Sequence, residues 1–211
     1  NKEQKIKKLF ENANKAISES RWSDAHTLWE TINKKIPNNF GIIMNLAACK
    51  NNTGLNAEAR ELYFKAEKLS PLNIDVNYAI ALSYEYEKDF DGALEFYKKC
   101  LKINKEHFDT IIRISEIYKI MGKFDTTLKL YEYLEKIYPD NDDIKVEIAS
   151  ILYRLNETFK AENILKNILS RSPDNANAKK SLAMIYHSQE DKKTDASALD
   201  ADADGEIEFG G

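Results

Sequence analysis

Apolar positions along this chain recur with the period of a helix, in blocks that repeat. Ala25, Trp29 and Ile32 lie four and three residues apart, which places them on one helix face. The same small–large–apolar trio returns as Ala59, Tyr63 and Ala66, then as Ala93, Tyr97 and Cys100, then as Thr127, Tyr131 and Leu134, and finally as Ala161, Leu165 and Ile168. Each trio stands 34 residues after the one before it. A second set runs upstream of the first with the same period: Asn12, Ala13 and Ala16; Leu46, Ala47 and Lys50; Ile80, Ala81 and Tyr84; Ile114, Ser115 and Tyr118; Ile148, Ala149 and Leu152. Each 34-residue unit therefore predicts two amphipathic helices. The small residue lets a neighbouring helix approach, and the large one fills the space beyond it.

The punctuation keeps the same period. Pro37, Pro71, Lys105, Pro139 and Pro173 close successive units, and proline blocks helix continuation at fixed places. Polar stretches around them, such as Pro37-Asn38-Asn39, cap the helix that follows. Ser20, Gly54, Lys88, Gly122 and Asn156 separate the two helices within each unit, and Gly and Asn suit the left-handed backbone a helix end often needs. The period survives Lys105, so helix packing rather than proline sets it.

The small–aromatic–small–proline order at this spacing resembles the tetratricopeptide repeat family. The resemblance covers 6–39, 40–73, 74–107, 108–141 and 142–175. Residues 176–188 repeat the first-helix pattern once more, with Leu182, Ala183 and Tyr186 in phase, as a capping helix. Asn12, Leu152 and Leu165 depart from the family's large or aromatic positions. The resemblance implies an all-α fold, an α-solenoid in which antiparallel helix pairs form a right-handed superhelix with the first helices lining its concave face. It implies a protein–protein interaction scaffold whose groove takes a peptide or partner segment. The inward positions that would do so are Met44, Asn45, Tyr78, Leu82, Glu85, Tyr86, Ile112, Glu116, Tyr153 and Arg154. Their mixture of apolar, aromatic and acidic residues suits a segment with apolar anchors and a basic residue. A packing role between neighbouring helices is the rival reading for each, Tyr78, Glu85, Tyr86, Glu116 and Tyr153 included. Asp75, Asp109 and Asp143 share one phase near a helix start, where capping and the helix dipole explain them better than ligand contact.

Family members that bind chaperone C-termini hold a carboxylate with lysines, asparagines and an arginine across three repeats. Those phases read Phe10, Asn14, Asn45, Asp75 and Ala79 in one register and Met44, Ala48, Ala79, Asp109 and Arg113 in the next. The cationic sites are mostly lost, which argues against a heat-shock co-chaperone role.

Charge changes the picture only at the end of the sequence. The chain has 31 basic and 35 acidic residues, and residues 190–211 carry a net of −6. The remainder is close to neutral, so nucleic acid is not an expected partner. The longest apolar run, around Gly41 to Cys49, is too short for direct membrane insertion. The chain starts at Asn1, so a missing leader proves nothing and localisation stays open. Residues 189–211 read as a solvated acidic tail without fixed structure. Within it, Asp200, Asp202, Asp204, Glu206 and Glu208 resemble the start of an EF-hand calcium loop, with Gly205 at the turn. The loop's bidentate glutamate is replaced by Gly211, and the entering stretch is short. No cofactor is expected apart from that calcium alternative. A self-assembling structural protein is the other alternative.

Catalysis finds little material here. His26, His107 and His187 fall at different phases of different repeats, and no phosphate-binding loop or nucleophile motif is present. Cys49 and Cys100 form no metal spacing, and Cys100 stands where the repeat wants a small core residue. The chain reads as a non-enzyme.

Overall fold

A computed structural model describes residues 2–204, with side chains through 194. Among the described residues there are eleven helices and no strand. They are α1 (Lys2–Ser18), α2 (Trp22–Lys35), α3 (Phe40–Asn52), α4 (Asn56–Leu69), α5 (Ile74–Tyr86), α6 (Phe90–Ile103), α7 (Phe108–Ile120), α8 (Phe124–Ile137), α9 (Asp142–Arg154), α10 (Thr158–Arg171) and α11 (Ala176–Asp204). First helices begin at Phe40, Ile74, Phe108, Asp142 and Ala176, each 34 residues after the last. The chain divides into two units, Asn1–Ile114 and Ser115–Gly211, with the division inside α7.

The repeat columns are the cores of both units. In the first unit Ala13, Ala47 and Ala81 are fully buried, as are Ala25, Ala59 and Ala93. Trp29 is buried among Ala13, Ile32, Leu46 and Cys49, with the ring of Phe10 edge-on at 5.5 Å. In the second unit Ser115, Thr127, Ala149 and Ala161 hold the same columns, all without exposed surface. Thr127 satisfies its hydroxyl on the carbonyl of Lys123 at 3.0 Å, so a polar residue is tolerated in a small-residue column. Lys50 is a harsher departure. It occupies the column of Tyr84 and Tyr118 and is nearly buried, and its ammonium meets Glu58 of α4 at 2.5 Å.

Turn chemistry follows the punctuation. All five break residues are left-handed: Ser20 (φ 56°), Gly54 (83°), Lys88 (62°), Gly122 (72°) and Asn156 (64°). Helix starts are capped by one asparagine column. Asn39, Asn73, Asn141 and Asn175 accept backbone N–H bonds from Ile42, Val76, Ile144 and Ala178. Asn73 and Asn141 thus cap two residues before Asp75 and Asp143, His107 stands at that phase before Asp109, and all three aspartates occupy the first turn, where the dipole favours them.

One boundary differs from the sequence reading. The capping helix was expected over 176–188, with 189–211 lacking fixed structure, but α11 continues to Asp204. Residues 189–204 contain no Gly or Pro, and their four alanines and two lysines are interleaved with five aspartates, so no stop signal occurs before Gly205. Asp200, Asp202 and Asp204 are consequently helical, while Glu206 and Glu208 lie outside the described residues.

Candidate functional site

The first unit carries a cleft of about 520 Å³ at the C-terminal ends of α3 and α5. Its apolar wall is Ala79, Leu82 and Tyr86 of α5, with Tyr63 of α4 beneath. Asn51, Asn52 and Asn56 contribute amides, and Glu85 and Arg113 contribute charge. Helical spacing builds the site: Ala79, Leu82 and Tyr86 lie three and four apart on one face of α5. Tyr86 is 80% exposed, so its ring has no packing role.

Beside the cleft, polar groups are held in a fixed chain. The Tyr97 hydroxyl donates to Glu85 Oε2 at 2.6 Å, and Arg113 Nη1 donates to Glu85 Oε1 at 3.2 Å. Burial, followed by the bond to Glu85, pushes the Tyr97 phenol well above its ordinary range. Tyr78 sets its ring edge-on to Tyr97 at 5.5 Å and to His107 at 5.8 Å. A hydrogen bond to Tyr78 is the main cause that raises Arg113 above its ordinary value. Tyr78 and Glu85 therefore support the wall, and the carboxylate read as a receptor for a basic residue is already paired.

The second unit repeats this device with its charges exchanged. Lys119 and Glu147 hold the same repeat phases as Glu85 and Arg113, and meet at 3.2 Å. Tyr131, the counterpart of Tyr97, donates to Glu116 at 3.2 Å, and Lys119 meets Glu116 at 2.7 Å. Repeat phase decides where neighbouring first helices are bridged. The residues there decide which helix carries the cation.

The remaining sequence candidates scatter. Met44, Asn45 and Ile112 are half-buried and do not line the cleft. Tyr153 donates to Ser188 Oγ of α11 at 2.6 Å, while Arg154 is exposed on α9. Sequence reasoning assigned Tyr63 wholly to the core, where it is 6% exposed, and missed that it floors the cleft. Asn56 and Arg113 were also missed. No sequence signal marks Asn56, which opens a second helix. Arg113 could have been found from its phase relation to Glu85. Among the described residues no cluster of three His, Cys, Asp or Glu side chains could hold a metal ion, and no helix is long and apolar enough to cross a membrane.

The sequence profile of the tetratricopeptide repeat family matches residues 74–107 and, in a second form, 120–185. The chain is a tetratricopeptide repeat protein. Solved structures share its fold. A tetratricopeptide repeat protein from Parabacteroides merdae is 16% identical, over 94% of this chain and 78% of that one, with a TM-score of 0.76. A MamA protein is 18% identical over 81% of this chain and 93% of that one, with a TM-score of 0.69. A further MamA crystal structure is 16% identical over 86% and 96%, at 0.63. No curated protein matches the sequence. At these identities the solved structures speak for the fold alone. The tetratricopeptide repeat fold supports a protein–protein interaction scaffold as the general role of this chain.

Proposed function

We propose that this tetratricopeptide repeat protein binds an extended segment of a partner protein in the cleft between α3 and α5. The observation that carries this reading is the pairing of an unpacked aromatic ring, Tyr86, with Leu82 in a cleft of about 520 Å³ walled on its other side by asparagine amides. Apolar surface beside Tyr and Leu gains from covering by an apolar side chain. An asparagine amide both donates and accepts, which matches the peptide group of an extended chain whatever its sequence. Glu85 is held by Arg113 and Tyr97, so the anchor the cleft asks for is an apolar side chain flanked by free main-chain amides. A basic partner residue contributes less here than the composition of the groove suggests.

The test begins with a displayed library of random peptides selected on the intact chain. Selected peptides are then titrated by fluorescence anisotropy against the wild type, Leu82→Arg, and Tyr86→Ala paired with Asn51→Ala. The expected result is enrichment of sequences with one apolar anchor, and a loss of at least about tenfold in affinity for each variant, the scale of a removed hot spot. Affinity unchanged in both variants, with their thermal midpoints intact, would remove the cleft as the binding site.

A further inference from the structure

The small-residue column that runs through every first helix changes character at its last member. Ala13, Ala47, Ala81, Ser115 and Ala149 have no exposed surface. In four repeats the second helix packs on the first, α2 on α1, α4 on α3, α6 on α5 and α10 on α9, and the short turns that join them make each pair antiparallel. Ala183 of α11 holds the same phase and is exposed, together with Met184 at 64%. Around them Lys180, His187, Ser188 and Asp191 line an open depression of about 420 Å³. The position calls for an antiparallel helix, and none of the described residues supplies one.

Independently of the cleft reading, we propose that the occupant is α11 of a second copy of this chain, packed antiparallel about a two-fold axis. The strip is self-complementary when read against its own reverse. About a point midway between Ile185 and Tyr186, Lys180 falls opposite Asp191, Ala183 opposite Ser188, and Met184 opposite His187. A cation thus meets a carboxylate at both ends of the strip. Small residues oppose each other one turn further in, where helices must approach closely. The thioether meets an imidazole at the centre. An isologous contact requires this symmetry, since each residue i that meets j is matched by j meeting i. His187 Nδ1 lies 2.8 Å from Asp191 Oδ2 within its own helix, which holds the carboxylate on the strip. One helix pair is small for an interface, so the dimer is weak, with a dissociation constant on the order of 100 μM.

Sedimentation equilibrium of the full chain up to about 1 mM tests this. The expected result is a monomer–dimer equilibrium that Lys180→Asp and Asp191→Lys each weaken about tenfold, because like charges then face each other. The double variant with both changes regains the wild-type constant within about threefold, which only the antiparallel arrangement allows. Met184→Lys, a change at an exposed centre, abolishes the dimer while leaving the thermal midpoint in place. A chain monomeric throughout, a dimer indifferent to these variants, or a double variant no better than the singles would overturn the proposal.

Discussion

The helices α1 and α11 hold the same phase of the repeat and treat their outer surfaces in opposite ways. Where Ile42, Leu46 and Cys49 of α3 are buried, α1 places Lys8, Asn12 and Lys15, all exposed. The helix keeps its inward column, Ala13 and Ala16, and makes the outward one polar. On α11 the inward positions Ala178 and Ile185 are buried, but Ala183 and Met184 face outward unaltered. The lesson is that a repeat column does not dictate burial. Burial follows from whether another helix covers the column, and sequence responds by sealing the position or by leaving it apolar.

The largest expected effect comes from enlarging the same column at two places. Ala81→Leu overpacks the contact between α5 and α6 and lowers stability by about 3 kcal/mol, whereas Ala183→Leu changes it by less than about 0.5 kcal/mol. Urea unfolding of the two variants reads this directly, and equal losses would break the comparison.

Next in size is an alkaline effect at the column that α1 seals with Lys15. Cys49 is buried there, and burial pushes its thiol up to about 11 from an ordinary 9.0. Burial does the same for Cys100. The folded state therefore holds these protons after the unfolded chain has released them. Stability is intact below about pH 9 and falls as pH rises toward 11, by on the order of 2 kcal/mol per thiol. Urea midpoints measured from pH 8 to 10.5 should show the fall, and Cys49→Ala should make it shallower while leaving the part due to Cys100.

The two bridged pairs give a smaller and more discriminating test. Tyr97→Phe removes a buried donor 2.6 Å from Glu85 and should cost about 1.5 kcal/mol, while Tyr131→Phe, whose bond to Glu116 is 3.2 Å, should cost about half as much. The order of the two losses in thermal unfolding is the point at issue. Smallest is a gain: Lys88→Gly at φ 62° relieves a left-handed residue, partly offset by the glycine's entropy, and should stabilise by about 0.5 kcal/mol, seen as a raised thermal midpoint.

Much of this fold is legible in the sequence because its information is periodic. The columns of Ala81 and Tyr97 and the breaks at Gly54 and Lys88 repeat often enough to reveal helices, faces and turns. What escapes is whatever occurs once. Lys50 stands in an aromatic column, and only the neighbouring Glu58 explains how its charge is tolerated. The exchange of Glu85 and Arg113 for Lys119 and Glu147 needs knowledge of which phases touch across repeats. Tyr63 serves packing and the cleft together, so a reading that assigns each residue one role misplaces it. The length of α11 was hidden because acidic composition was taken for lack of structure, although the segment holds no helix breaker before Gly205.

The most direct test of the cleft is amide hydrogen exchange of the intact chain with and without a selected peptide. The expected result is added protection confined to the C-terminal turns of α3 and α5, around residues 49–52 and 79–86, with α1 and α2 unchanged. Protection centred on α11, or none near Leu82 and Tyr86 while the peptide is bound, would contradict the account.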